Sequence, residues 1–154
     1  TMAEISFYHL INSTLEEVLP VLLKKTLDAG KRAVVIAGTN ERLETLSSIL
    51  WTAEPDSWIP HGSLKDGHSE HQPIWLTISW ENPNKATYLF LTDGATAESL
   101  EGFDRCFDLF NGNEIASVQA ARDRWTELKN EFHDCNYWQQ NGQGNWEKKA
   151  SDGI

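Results

Sequence analysis

KRAVVIAG, residues 31–38, is a short apolar run that is entered through two basic residues and closed by glycine. A strand with one wet face alternates polar and apolar side chains, whereas a run apolar on both faces belongs inside a parallel sheet covered by helices. Upstream, EISFYHL (4–10) alternates as a strand does. Between the two strands, Leu15, Val18, Leu19, Leu22, Leu23 and Leu27 keep helical spacing as far as Gly30, behind a capping box expected at Ser13 and Glu16. Pro20 falls inside that pattern and is expected to kink or shorten the helix, because it has no N–H to donate. Downstream, a second helix is expected from Asn40 to Trp51, with Leu43, Leu46, Ile49 and Leu50 on one face.

The remainder extends this alternation. Residues 52–73 contain Pro55, Pro60, Gly62, Gly67 and Pro73 without a sustained period, so a long irregular connection is expected, of a length that usually marks function or mobility. Pro73–Trp80 and Thr87–Leu91 read as strands, as does Phe103–Phe110, where a helix is the alternative. Asn113–Phe132 repeats Ile115, Val118, Ala121, Trp125, Leu128 and Phe132 mostly three or four apart, an amphipathic helix. Cys135–Trp138 reads as a last short strand. The order implies an α/β fold with a mostly parallel sheet. With no internal repeat or linker, residues 2–150 are expected to form one domain ahead of a short tail, 151–154.

With 40% hydrophobic and 23% charged residues and no apolar run of the ~20 residues a membrane helix needs, the chain reads as soluble. The opening TMAEISFYHL lacks the basic and apolar regions of a signal peptide, so a cytoplasmic setting is expected. Cys106 and Cys135 form no CxxC and suggest reduced, partly buried thiols. The net charge of −10 is uneven: residues 1–50 carry 5 basic and 6 acidic side chains, 51–114 carry 3 and 11, and 115–149 carry 5 and 5. A phosphate backbone would be repelled by the middle of the chain but not by its C-terminal part.

Motifs for bond chemistry are missing. HLINST follows the first strand, so neither GxGxxG nor GxxxxGK[ST] is there to cradle phosphates, and Gly38 in AGTN reads as a strand-to-helix turn. His61, His68 and His71 share the irregular connection and read as exposed loop histidines rather than a metal site. No GxSxG elbow occurs, and no cue sets a cysteine beside a histidine. No catalytic residue, metal or cofactor is expected.

Seven tryptophans are many for 154 residues. Trp51 and Trp58 flank an irregular turn, where they either cap the core or centre a protein interface. In ARDRWTELK, Arg122, Trp125 and Lys129 share one helical ridge, with Arg124 off it. That ridge is either a solvated face balanced by Asp123, Glu127 and Glu131, or a shallow pocket that grips an acidic peptide and holds an aromatic residue. Near the end, NYWQQNGQGNWEKK (136–149) is either a stacking platform for single-stranded nucleic acid through Trp138 and Trp146, or a last strand and turn that pack on the domain.

Taken in order, FYHL (7–10), GKRAVVIA (30–37), LWTAEPDSWIPHG (50–62), DGHSEHQPIWLTI (66–78), LFLTDGA (89–95), FDLFNG (107–112), ARDRW (121–125) and the YWQQ and GNWEKK pieces of the ending resemble the chi subunit of the bacterial DNA polymerase III holoenzyme. The resemblance implies a Rossmann-like three-layer fold without a nucleotide site, and a non-catalytic accessory role. Such proteins link the clamp loader, through a psi-type subunit, to the acidic C-terminal tail of single-stranded DNA-binding protein, which ends in apolar residues and a phenylalanine carboxylate. Carried onto this chain, the tail-binding role falls on Arg122 and Arg124, with Trp125 beside them and Leu109 and Phe110 as apolar wall. Thr126 stands where members often carry a cation, and Lys129, or Lys148 and Lys149, is expected to compensate. Trp51, Trp58, Ile59 and Pro60 are the expected psi-facing residues. DNA contact is then indirect, no membrane is involved, and the chain is a monomer or part of a heterodimer. A direct single-strand binder and a nucleotide-dependent enzyme are the alternatives.

Overall fold

The computed structural model describes residues 3–52, 59–64, 66–97, 99–131, 134–140, 143 and 145–149. The expectations placed on Pro55, Trp58 and Phe132 fall outside these residues. Strand β1 (Glu4–Leu10) feeds helix α1 (Leu15–Asp28), and β2 (Ala33–Ile36) feeds α2 (Asn40–Thr52). Then come β3 (Gly62–Ser63), a 3-10 turn at Ser69–His71, β4 (Ile74–Thr77), β5 (Tyr88–Thr92), β6 (Arg105–Asn111), α3 (Ile115–Asn130), β7 (Asp134–Gln140) and β8 (Trp146–Lys149).

The strands form one sheet in the order β3-β4-β2-β5-β6-β1-β7-β8. Every neighbouring pair is parallel except the β7–β8 hairpin. KRAVVIAG lies where its composition requires: β2 pairs with β4 on one side and β5 on the other, and all four of its residues are buried. Each such valine or isoleucine contributes roughly 1.5–3 kcal/mol of burial.

Period-2 alternation sorts the side chains onto two faces. Ile5, Phe7, Val34, Leu89 and Cys106 pack with Ala121 and Trp125 of α3. Val35, Phe90, Phe107 and Leu109 pack with Leu19 and Leu23 of α1 and Leu43, Leu46 and Leu50 of α2. Helices on both faces make the three-layer α/β arrangement expected from the strand and helix pattern. Beyond α3, the same face is closed by loops rather than a helix: Ala86, Leu100 and Phe103 pack there, and the Trp80 indole donates to the Ser99 carbonyl at 2.9 Å.

Three local expectations change. The cap of α1 is Thr14 with Glu17, whose carboxylate accepts the Thr14 N–H at 3.2 Å, not Ser13 with Glu16. Ser13 is held by Gln140 of β7, which accepts its N–H at 3.1 Å and donates to its hydroxyl at 2.9 Å, while Glu16 is taken by Arg42. Helix α1 is not shortened at Pro20, whose ring is buried near Leu19 and Leu23 at the cost of one hydrogen bond to the Glu16 carbonyl. Strand β4 ends at Thr77 instead of Trp80, because the Thr77 hydroxyl donates to Glu81 at 2.6 Å and accepts the Ser79 N–H at 3.1 Å, turning the chain. Phe103–Phe110 contains the strand it reads as, β6, rather than the helix alternative, and within NYWQQNGQGNWEKK strands β7 and β8 pair antiparallel, with half-buried Trp146 on the core.

Candidate functional site

Adjacent strands β1 and β6 send their chains in opposite directions, β1 through α1 to β2 and β6 through α3 to β7. Such a divergence opens a crevice at the strands' carboxyl ends. A cleft of about 700 Å³ lies there, with Leu10, Leu15, Leu109 and Phe110 among its apolar lining and Glu16, Arg42, Asp93 and Glu114 among its charged lining. Arg42 is already answered, at 2.6 Å from Glu16 and 3.0 Å from Asp93. Burial works to raise the Glu16 pKa, but its own backbone N–H at the helix start and Arg42 outweigh burial and bring the value down. Asp93 adopts the left-handed conformation at φ 53, packed so close to Gly38 that a Cβ there would lie 3.1 Å from the Asp93 Cβ. The lone glycine of AGTN thus seats one turn against another. With its lining arginines paired to carboxylates, the cleft is poorly suited to phosphate.

Arg124, which also borders this cleft, reaches from α3 down to Asp108 of β6. Its Nε lies 2.5 Å and its Nη2 2.9 Å from the two carboxylate oxygens, and the side chains are 12% and 3% exposed. Burial pushes the Asp108 pKa up, and the guanidinium counters it in part. Nearby, burial raises the Cys106 thiol, as does the Asp108 charge, and burial raises Cys135 to about 11. Both thiols are buried and unpaired. They flank Ile5 from opposite sides in register, two strand spacings or roughly 10 Å apart, beyond disulfide reach.

The six expected tail-binding residues therefore divide. Trp125 is a core side chain, edge-on to Phe7 with ring centroids 5.3 Å apart. Leu109 and Phe110 are buried on opposite faces of β6 and share only the cleft at its end. Arg122 and Lys129 are exposed. The Lys129 ammonium lies 5.4 Å from the centre of the Trp125 ring. Arg122 makes no ion pair among the described residues. Thr126, at the position where a cation was looked for, donates its hydroxyl to the Arg122 carbonyl at 3.1 Å.

Sequence reasoning missed the group next to Arg122. His9 shares a hydrogen bond between Nδ1 and the Tyr137 hydroxyl, and its Nε2 lies 3.4 Å from the Gly112 carbonyl oxygen. Tyr137 also reaches Gln139 Oε1 at 3.3 Å, and the Phe110 ring centre is 5.0 Å from the imidazole. Burial lowers the His9 pKa and the Arg122 charge lowers it further, against the Gly112 carbonyl, while burial raises the Tyr137 pKa. The alternation of EISFYHL put His9 on the face of Ile5 and Phe7, which was the only available signal.

At the far edge, Trp51 is 50% exposed, with its ring centre 4.5 Å from that of His61. His61 is not an exposed loop histidine: it is buried, its Nδ1–H donates to the Ile59 carbonyl at 2.8 Å, and its Nε2 accepts the Ser47 hydroxyl at 3.1 Å. His68 and His71 are exposed, and among the described residues no group of three His, Cys, Asp or Glu could hold a metal. Of the expected psi-facing residues, Trp51 is open, Pro60 partly so and Ile59 buried. Trp138 and Trp146 both pack against Tyr8, stacked at 6.3 Å and edge-on at 5.0 Å. No helix of the described residues is long and apolar enough to cross a membrane.

The family described as "DNA polymerase III chi subunit, HolC" matches residues 2–136. A Rickettsia prowazekii (strain Madrid E) protein described as "Probable DNA polymerase III subunit chi" is 28% identical over 159 aligned residues, covering 97% of this chain and 93% of the relative.

Proposed function

Because the chain belongs to the DNA polymerase III chi-subunit family, we propose that it is an accessory subunit of replication that ties the polymerase's clamp loader to the acidic C-terminal tail of single-stranded DNA-binding protein. The observation that carries the tail-binding part is Arg122: an exposed guanidinium on α3 with no ion pair among the described residues, close enough for its charge to act on His9 and Tyr137. Lys129, about two turns further along the same ridge and over the Trp125 ring, supplies a second cation. Arg124 and Phe110 then act from beneath α3, as the support of that surface, and Leu109 meets it only through the cleft at the end of β6. An acidic tail is drawn to these local charges although the whole chain carries −10, so binding is modest and weakens with salt. The clamp-loader contact, to a psi-type partner, falls at Trp51 and Pro60, with Ile59 as their buried footing. On this reading the protein works in the cytoplasm, and its contact with DNA is indirect.

The test is calorimetric titration with a synthetic peptide of acidic then apolar residues ending in a phenylalanine carboxylate. Binding is expected, and Arg122→Ala is expected to weaken it by about 1–3 kcal/mol, the range of a lost charge-assisted contact. No heat at millimolar peptide, or unchanged affinity in Arg122→Ala, would remove the proposed site.

A further inference from the structure

His9, Gly112, Tyr137 and Gln139 fall in the FYHL, FDLFNG and YWQQ pieces, yet none of them is among the residues to which the resemblance gave tail binding, and they form one connected group at the carboxyl ends of β1 and β7. Gly112 is required there, since a Cβ at that position would run into the His9 imidazole, and its N–H donates to the Leu10 carbonyl at 2.7 Å. The group faces α3 on the side of Arg122. Around His9, β7 contributes Tyr137 and Gln139, β6 contributes Phe110 and, further back, Asp108, and the turn after β6 contributes the Gly112 carbonyl. Helix α3 contributes Arg122 and, paired to Asp108, Arg124.

The hydrogen bonds of this group can be completed in two ways. With one proton on the imidazole at Nε2, that N–H points to the Gly112 carbonyl and Nδ1 accepts the Tyr137 hydroxyl. With a second proton, at Nδ1, the ring donates to the Tyr137 oxygen, and the tyrosine hydrogen turns to Gln139 Oε1, 3.3 Å away. No partner of the ring or of Tyr137 is lost on protonation, so the usual cost of stranding a buried polar group does not oppose it. What opposes it is partial burial and the repulsion of Arg122.

We infer that His9 and Tyr137 extend the Arg122 surface into a carboxylate subsite, in which the imidazole takes a proton from solvent as a peptide carboxylate binds. The carboxylate offsets the repulsion from Arg122 and adds its own attraction, so binding shifts His9 toward the charged imidazole. Phe110 beneath the ring and Trp125 beside Tyr137, at 6.5 Å between ring centres, give the subsite an apolar base. This inference rests on the tail-binding reading and adds a positioning pair and a proton to it.

The experiment follows the His9 ring by NMR through a pH titration from 8 to 5.5, with and without the same synthetic peptide, alongside calorimetry at both ends of that range. The expected result is a rise in the His9 pKa on binding and an affinity about three- to tenfold higher at pH 5.5, the factor that corresponds to a shift of up to about one unit. His9→Gln, which keeps a polar side chain but does not titrate, is expected to bind with no such gain, and Tyr137→Phe to reduce it. Thermal melts identify any variant that fails to fold, and wild-type NMR stands without the variants. A peptide ending in an amide separates the sources of the carboxylate: loss of the gain assigns the terminal group, and its retention assigns an acidic side chain. If the peptide binds and Arg122→Ala weakens it while His9 titrates unchanged, the subsite is wrong and tail binding stands. If the peptide does not bind at all, both readings fall.

Discussion

Arg122 and Arg124 are two residues apart on one helix and have opposite fates. Arg124 turns inward and is clamped by Asp108 at 2.5 and 2.9 Å, whereas Arg122 remains at the surface with no ion pair among the described residues. The same contrast separates two larger regions. In the cleft at the carboxyl ends of β1, β5 and β6, where a fold of this kind offers its usual ligand site, Arg42 and Arg124 are both matched by carboxylates. On the α3 surface, Arg122 is exposed and makes no ion pair among the described residues. A basic side chain predicts anion binding only when the fold has not already satisfied it.

The strongest way to break this comparison is at the clamp. Asp108→Ala leaves the Arg124 guanidinium buried without its partner and should cost about 3–5 kcal/mol in urea denaturation. A loss below 1 kcal/mol would mean that Arg124 is free to swing outward, as Arg122 is. Next is Gly112→Ala, where the new methyl meets the His9 ring and should cost about 1–3 kcal/mol. It should also disturb the Tyr137 hydroxyl signal, and a neutral outcome would show that His9 is not seated as described. Arg42→Ala, which removes two ion pairs about a third exposed, should cost no more than about 1 kcal/mol. Arg122→Ala should change stability by less than about 0.5 kcal/mol while lowering affinity for the acidic peptide, the reverse of the pattern at Asp108.

The smallest expected effect is one of pH. Because the folded protein lowers the His9 pKa from 6.5, the unfolded chain takes up this proton first as pH falls. The stability tied to His9 is therefore complete above about pH 6.5 and is lost as pH falls through the lower folded value. Denaturation curves at pH 7.5 and 5.5 should differ slightly more for wild type than for His9→Gln. An equal difference in both would separate His9 from the pH response.

Much of the architecture was legible from one-dimensional pattern. KRAVVIAG reads as a strand buried on both faces, and the leucine spacing before it as a helix, and both are so in the fold, since periodicity reflects local geometry. The α1 cap was misplaced by one residue because Gln140, 127 residues away, takes Ser13. His61 was misread because its partners, Ser47 and the Ile59 carbonyl, come from separate segments.

By itself, then, the sequence determined the order of the three helices and of β1, β2, β4, β5, β6 and β7, though not β3 or β8, together with the uneven charge and the cations on the last helix, because each follows from residue type and short-range spacing. Only the tertiary structure decided which of those cations stays available, and that His9 meets Tyr137 across 128 residues of chain. Such pairings depend on which strands lie side by side and which face each residue takes. Burial then turns those positions into charges that are either cancelled or left for a partner.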